Sequence, residues 1–421
     1  MKVPTVISFR VSKIVQKKQF VKDILKSITQ SSGRALLVGG AVRDIFLDIP
    51  VKDLDFEVYG LTLEQLQTIL EQFGKVSLQG KSFGVLRVHG LDVDWSLPRQ
   101  DSSGRHPVVQ YDPYMSYEQA FRRRDLTVNA MGIDMQTLEL IDPFRGLQDL
   151  EHKILKAPDL HFFAQDPLRL LRVMQFSGRF AMQVDSQLST LCSTMDMTGV
   201  SVERIEQEFA KLFLQAQQPS IGLQWLLTIQ KFKDFLPGIV VQESLWDQVD
   251  TGALQEFSSK EEKLIAMWAI IASHAIRCSN ITFQQLQHKD LKPVIDFMHH
   301  VSRHDSMIHK VALLVLYAQM ISANVTDAQI KWLALWLSPD ITLRLLATII
   351  AVVWDKKMAE KLQHRAQLLG VLDAAEKPLL TGACFLDVAQ GPEIGILVKK
   401  AYQLQIEQAV IDPDLLKKMV L

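Results

Sequence analysis

Cysteine is scarce in this chain: three among 421 residues, Cys192, Cys278 and Cys384, far apart and without a Cys-x-x-Cys pair. That excludes a disulfide framework and the usual zinc knuckles, and it suits a reducing compartment. Net charge is scarce too. Lys and Arg number 46 against 47 Asp and Glu, a formal balance of −1, so a nucleic-acid partner has to be held by local basic patches. No apolar run reaches membrane-spanning length, so no membrane association is expected. The N-terminal stretch lacks a secretory pattern, because Lys13, Lys17, Lys18, Lys22 and Lys26 interrupt its apolar residues. There is no repeat and no low-complexity tract. The remainder, 48% hydrophobic and 22% charged, is the composition of a globular protein of about two to four domains, with the cytoplasm as the expected location.

Hydrophobic periodicity divides the chain in two. Apolar residues at 11, 14, 15, 21, 24, 25 and 28 predict an amphipathic helix from Val11 to Ile28, closed by Ser31-Ser32-Gly33. Ala35 to Val38 predicts a short buried strand. Asp53 to Tyr59, Val85 to Val88 and Val93 to Leu97 predict further strands, with a helix from Leu61 to Phe73. From about Leu160 onward nearly everything predicts helix. Glu262 to Ala275, His309 to Ile321 and Ile341 to Trp354 are too apolar for surface helices and belong inside a helical body. The expected class is α+β: a mixed head over 1–155, a helical neck over 156–235, and a helical body and tail over 236–421.

Gly39-Gly40-Ala41-Val42-Arg43-Asp44 follows a strand and opens a helix. Paired glycines allow close backbone approach, the helix start offers N–H groups to an anion, and Arg43 adds a charge for a triphosphate. The plain alternative is an ordinary strand-to-helix turn. Asp53-Leu54-Asp55 is the stronger signal. On a strand, residues two apart share a face, and two carboxylates there repel unless a cation neutralises them. Hard oxygen ligands suit Mg2+, which also takes phosphate oxygens. Asp92-Val93-Asp94 repeats the pattern on a neighbouring strand, with Asp94 as the third acid and Asp92 as the open alternative. Isolated Asp-x-Asp pairs are commonly just solvated. The glycine turn upstream and the third acid downstream argue for a two-metal site.

With these motifs the chain resembles the class II tRNA nucleotidyltransferases, the CCA-adding enzymes, which share head and neck with bacterial poly(A) polymerases. The Gly39-to-Asp44 segment followed by Asp53 and Asp55 is similar to the family's nucleotide and metal motif. Asp94 stands five residues before Arg99, as the family's third acid does, although Glu is frequent there. Arg123-Arg124-Asp125-Leu126-Thr127-Val128-Asn129-Ala130 resembles the motif contacting ribose and triphosphate. Gly146 to Leu150 matches a hinge-like element between head and neck. A run such as Arg122-Arg123-Arg124 is ordinarily a solvated face; the motif context favours Arg124 for phosphate. The resemblance implies CTP and ATP as nucleotides, Mg2+ as cofactor, and tRNA, through acceptor stem and elbow, as partner. No protein partner is implied.

No template strand is present, so the protein itself must choose the base. Gln165-Asp166-Pro167-Leu168-Arg169 predicts a helix start, with Asp166 and Arg169 on one face. A carboxylate accepts from an exocyclic amine and a guanidinium donates to the ring nitrogen beside it. Cytosine and adenine offer that edge; uracil and guanine present a carbonyl instead. The plain alternative is a helix ion pair worth about 0.5 kcal/mol. The family motif has Glu where Gln165 stands, and Arg172, one turn on, supports the pair or bridges to phosphate.

Other features are weaker. Ser201 to Leu212 resembles the family's neck helix. His299, His300, His304 and His309 lack an acid ligand in place and predict surface or core histidines, and phosphohydrolase activity is not expected. Trp332 and Trp336 predict core. Gly80 to Val85 resembles the CCA-adding form of its strand entry, Asp101 to Tyr114 fills the place of a flexible loop, and Gly391 to Leu397 with Lys399 and Lys400 resembles the tail that meets the tRNA elbow. Poly(A) polymerase is the runner-up, then an enzyme adding only CC or only A, and last an RNA-binding protein on an inactive scaffold.

Overall fold

Alternating apolar residues build a sheet in the first of two compact units, Met1–Val200 and Ser201–Leu421. The computed structural model describes residues 2–16, 19–79, 84–101, 109–275, 288–321 and 325–421. In the first unit the strands are β1 (Arg34–Val38), β2 (Leu54–Tyr59), β3 (Val76–Gln79), β4 (Val85–Val88), β5 (Val93–Ser96), β6 (Arg99–Asp101), β7 (Val109–Tyr111), β8 (Gly132–Asp134), β9 (Leu140–Ile141), β10 (Ile154–Leu155) and β11 (Gln183–Val184). Its helices are α1 (Thr5–Gln16), α2 (Gln19–Gln30), α3 (Gly40–Phe46), α4 (Leu63–Glu71), α5 (Tyr117–Arg122), α6 (Gly146–Glu151), α7 (Leu160–Ala164), α8 (Arg169–Phe180) and α9 (Ser186–Thr194).

Seven strands form a mixed sheet in the order β3-β4-β5-β2-β1-β8-β9. Within this sheet β2 and β5 pair in parallel and the other pairings are antiparallel. A parallel pair needs a crossover, and α4 with the β3–β4 hairpin supplies it. A capping box between Thr62 and Gln65 starts α4. Leu36, Val38, Tyr59, Phe121 and Ala130 pack as a buried core on the sheet. The α+β class expected from the sequence is the one observed. The expected helix from Val11 to Ile28 differs: α1 starts earlier, at Thr5, and α2 runs on to Gln30 as a separate element. Residues 17–18, 80–83, Cys278 and most of the loop after Asp101 lie outside the described residues.

The second unit is helical. Lys260–Ala272, Asp305–Met320 and Leu343–Val353 pack on one another, and Trp268, Val311 and Ile350 at their centre are buried. Their apolar sequences anticipated this. Trp332 and Trp336 stack at 5.8 Å, with Tyr317 next at 6.2 Å. Trp336 is 39% exposed, so this is a surface stack and not the core expected. A small apolar cluster of Leu380, Phe385, Ala401, Leu416 and Val420 holds the C-terminal helices Pro392–Gln408 and Pro413–Val420 together. Among the described residues no group of three His, Cys, Asp or Glu side chains is arranged to hold a metal ion, and no helix is long and apolar enough to cross a membrane.

Candidate active site

Strand β2 begins at Leu54, so Asp53 precedes it and Asp55 lies within it. Leu54 and Phe56 turn inward while Asp53 and Asp55 are exposed, as the alternation required. Across the parallel pair, Asp55 is in direct register with Asp94 of β5. Asp92 precedes β5, so the strand pairing favours Asp94 as the third acid. The Asp55 carboxyl is raised above the ordinary range. Lost solvation is the main cause and Asp94 the next; Arg124 and Arg87 oppose, and Asp53 adds to the rise. Asp94 is held differently: Arg87 of β4 meets its Oδ1 at 2.6 Å. The three acids therefore form no closed cage. Two carboxylates with open positions fit a hard divalent cation that takes its remaining ligands from phosphate and water.

Gly39 has φ 72, and a Cβ there would stand 3.0 Å from Arg124 Nη1, so glycine lets the turn and the arginine coexist. Gly40 is the first residue of α3. Arg43 follows in the same helix. It is 5% exposed. Its guanidinium donates to Asp44 at 2.7 Å and to Asn129 Oδ1 at 2.5 Å, and it lies over the rings of Phe176 and Phe180. Through these contacts Arg43 braces α3, the Thr127–Asn129 turn and α8.

Asp125 and Asn129 are likewise buried. Arg172 Nε meets Asp125 Oδ2 at 2.7 Å, and Asn129 Nδ2 and the Leu126 N–H donate to Asp125 Oδ1. Burial alone would raise the Asp125 carboxyl; Arg172, Asn129 and the Leu126 N–H outweigh it and hold it below the usual range. Arg172 is thus tied to Asp125.

Glu57 was not singled out by sequence. It shares the Asp55 face of β2, yet its side chain is 1% exposed. It accepts from Tyr59 Oη at 2.6 Å and lies 3.4 Å from Arg124 and 3.5 Å from Arg123. One carboxylate thereby anchors two arginines beside the Asp55–Asp94 pair. An acid inside an otherwise apolar strand was the available signal. Arg87 was missed because a lone arginine on a strand reads as a solvated side chain.

A cavity of about 570 Å3 opens next to this cluster, lined among others by Arg99, Glu118, Arg122, Arg123, Gln165 and Arg169. A second cavity, about 550 Å3 between α1, α2 and the turn joining β8 to β9, contains none of the candidate site residues. Arg169 Nη1 donates to the Phe162 carbonyl and Nη2 to the Arg123 carbonyl, both at 2.7 Å. Helix α8 starts at Arg169, so Asp166 stands just before it and accepts from the Leu168 N–H at 3.2 Å. Sequence had put both on the helix; they are one turn-like step apart at its entrance. Arg122 pairs with Glu118 at 2.5 Å.

The first unit thus sets in-register carboxylates on a mixed sheet, with an arginine-lined cavity beside it. Residues 35–156 match the family described as poly A polymerase head domain. Among curated proteins the chain is 35% identical over 214 residues to a multifunctional CCA protein of Mannheimia succiniciproducens, covering 48% of this chain and 49% of that one. It is 29% identical over 286 residues to the Xylella fastidiosa (strain 9a5c) protein of the same name, covering 63% and 65%. The matches span about half to two thirds of these relatives. The fold is similar to a Bacillus stearothermophilus CCA-adding enzyme solved in complex with CTP, with TM-score 0.69, 19% identity, and 94% and 96% of the two chains covered. It is also similar to a Thermotoga maritima CCA-adding enzyme complexed with tRNA, with TM-score 0.65, 19% identity, and 96% and 95% covered. The chain has the fold of the CCA-adding enzymes.

Proposed function

We propose that this protein adds C, C and then A to the 3′ end of tRNA from CTP and ATP, without a template and with release of pyrophosphate. The observation that carries the reading is Asp55 and Asp94 side by side on β2 and β5 with Asp53 adjacent. The 3′ hydroxyl attacks the α-phosphorus, a new phosphodiester bond forms, and the bond to the pyrophosphate oxygen breaks. Asp53 and Asp55 would hold Mg2+, which supplies Lewis acidity toward the phosphate oxygens and the attacking hydroxyl. Asp94 is assigned to orient the hydroxyl and take its proton. Arg123 and Arg124, both beside Glu57, place positive charge next to the Asp55–Asp94 pair, where it would meet the triphosphate. Asp166 and Arg169 read the base edge. In functional terms 1–155 is the catalytic head, 156–235 the base-selecting neck, and 236–421 the tRNA-binding body and tail. A cytoplasmic setting belongs to this reading, supported by the sparse, separated cysteines.

Purified protein should be incubated with tRNA transcripts ending before CCA, after C, and after CC, with each nucleotide offered separately. Stepwise C, C, A addition is expected. Processive tailing of unstructured RNA with ATP alone would move the assignment to a poly(A) polymerase, and arrest after CC or activity only on a CC end would make it a partial enzyme.

A further inference from the structure

Thr127, beside the buried Asp125, lines another cavity of about 440 Å3 that shares no lining residue with the nucleotide cavity. Arg145, Gln148, Asp149, His152 and Lys156 also line it. Arg145 has φ 58 and ψ 35, and Lys153 has φ 55, so helix α6 is bracketed by basic residues in the left-handed region. Glycine or asparagine takes that conformation with less strain, and such strain in ordinary side chains gathers at functional sites.

The charges in the cavity do not cancel. Asp149 Oδ2 accepts from Thr127 Oγ1 at 2.7 Å, and its Oδ1 lies 3.4 Å from Lys156 Nζ. Arg145 is exposed, and its guanidinium has no hydrogen bond or ion pair among the described residues. Arg145 and Lys156 against Asp149 leave one positive charge in surplus. Attraction does not come from the start of α6, because Asp142 already accepts from the Gly146 and Leu147 N–H groups at 2.7 and 2.9 Å. His152 Nδ1 is bonded to the Gln148 carbonyl at 2.7 Å, which turns the ring's other nitrogen away from that bond.

We propose that this cavity is a phosphate-binding site whose occupant is a backbone phosphodiester of the RNA substrate. A single surplus charge matches a monoanionic phosphodiester, and the triphosphate has its own arginines elsewhere. Arg145 makes the principal contact and Lys156, partly compensated by Asp149, the secondary one. The occupant's identity rests on the RNA reading of the preceding section; the phosphate chemistry of the pocket does not.

The decisive comparison is binding of a labelled tRNA transcript across a range of salt concentrations by the parent, Arg145→Gly and Arg145→Asn, without nucleotide. Both replacements accept the left-handed backbone, so each should melt at or above the parent temperature. Each should bind about tenfold more weakly at low salt, the loss of a hydrogen bond to a charged group. Each should also have a slope of log affinity on log salt smaller by about one. Affinity and slope equal to the parent in both variants would overturn the RNA assignment. Inorganic pyrophosphate is the second arm: if it raises the parent melting temperature more than that of the variants while RNA binding is unchanged, the pocket takes a free anion instead. If neither ligand distinguishes parent from variants, there is no phosphate site. A parent without affinity for RNA counts against the tRNA reading, and the pyrophosphate arm then decides the pocket alone.

Discussion

Asp55 and Asp94 lie opposite one another on the parallel strands β2 and β5, and among the described residues only Asp94 has a cation in close contact. Arg87 meets Asp94 at 2.6 Å, whereas Asp55 carries its repulsion from Asp94 and Asp53 with Arg124 and Arg87 as opposing influences. A sheet has no structural reason to set acids in register. Like charges directly opposite are destabilising, and the divalent cation proposed for this site would offset that repulsion.

Removing that repulsion should be visible without any assay of activity. Asp55→Asn should raise the melting temperature of the metal-free protein, because the variant keeps the shape and loses the charge. Added Mg2+ or Mn2+ should raise the melting temperature of the parent and leave the variant unmoved. An equal metal-induced gain in both would take Asp55 out of the metal site. In transfer assays Asp53→Ala and Asp55→Ala should lose activity while tRNA binding stays within a few-fold. Asp94→Ala should be severe; a mild effect would pass its role to Asp92.

The Asp125–Arg172 pair should behave as a brace. Arg172→Ala leaves a buried carboxylate without its counter-ion, at a cost of about 3 kcal/mol in urea unfolding at neutral pH. Adding Asp125→Asn to that variant should recover part of the loss. The pH dependence has a fixed sign. The folded carboxyl lies below its unfolded value, so its contribution is complete above the unfolded value and disappears as pH falls through the folded one. Parent and Asp125→Asn should therefore converge in stability on the acid side. A gap that persists or widens there would contradict the depressed carboxyl.

What the sequence disclosed, and what it hid, follows from range. The Asp53–Asp55 motif, the glycine turn and the apolar helices of the second unit are set by neighbours a few residues away, and they were legible. Strand β8 is three residues long and has no alternation to read; pairing with β1 creates it. Glu57 drew no notice in the sequence, and it is buried beside Arg123 and Arg124, which come from a segment distant along the chain. The motif of Arg43 suggests phosphate, and what the sequence hid is that Asn129, 86 residues along the chain, and the rings of Phe176 and Phe180 enclose it. Local pattern located the chemistry; tertiary partners decided which charges remain open.

Base selection is where the structure sharpens the sequence argument most. Gln165, in place of the family's Glu, left open what orients Arg169. Two backbone carbonyls, of Phe162 and Arg123, take its Nη1 and Nη2 at 2.7 Å. Carbonyls do not change with side-chain substitution, so Gln165→Glu should leave base choice as it is and at most alter rate. Asp166→Ala should act on discrimination: it removes the acceptor for the amine of cytosine or adenine and the repulsion toward a carbonyl. UTP and GTP should then be incorporated, with specificity falling about ten- to a hundred-fold, the worth of a hydrogen bond to a charged group at 1.5–3 kcal/mol. Arg169→Ala should weaken CTP and ATP use together, since the ring nitrogen loses its donor with either base, and it should also loosen the Phe162 and Arg123 carbonyls. Single-nucleotide incorporation with all four triphosphates measures each case. If Asp166→Ala still rejects UTP and GTP as firmly as the parent, Asp166 only caps the entrance to α8 through its bond to the Leu168 N–H, and selection resides in other groups.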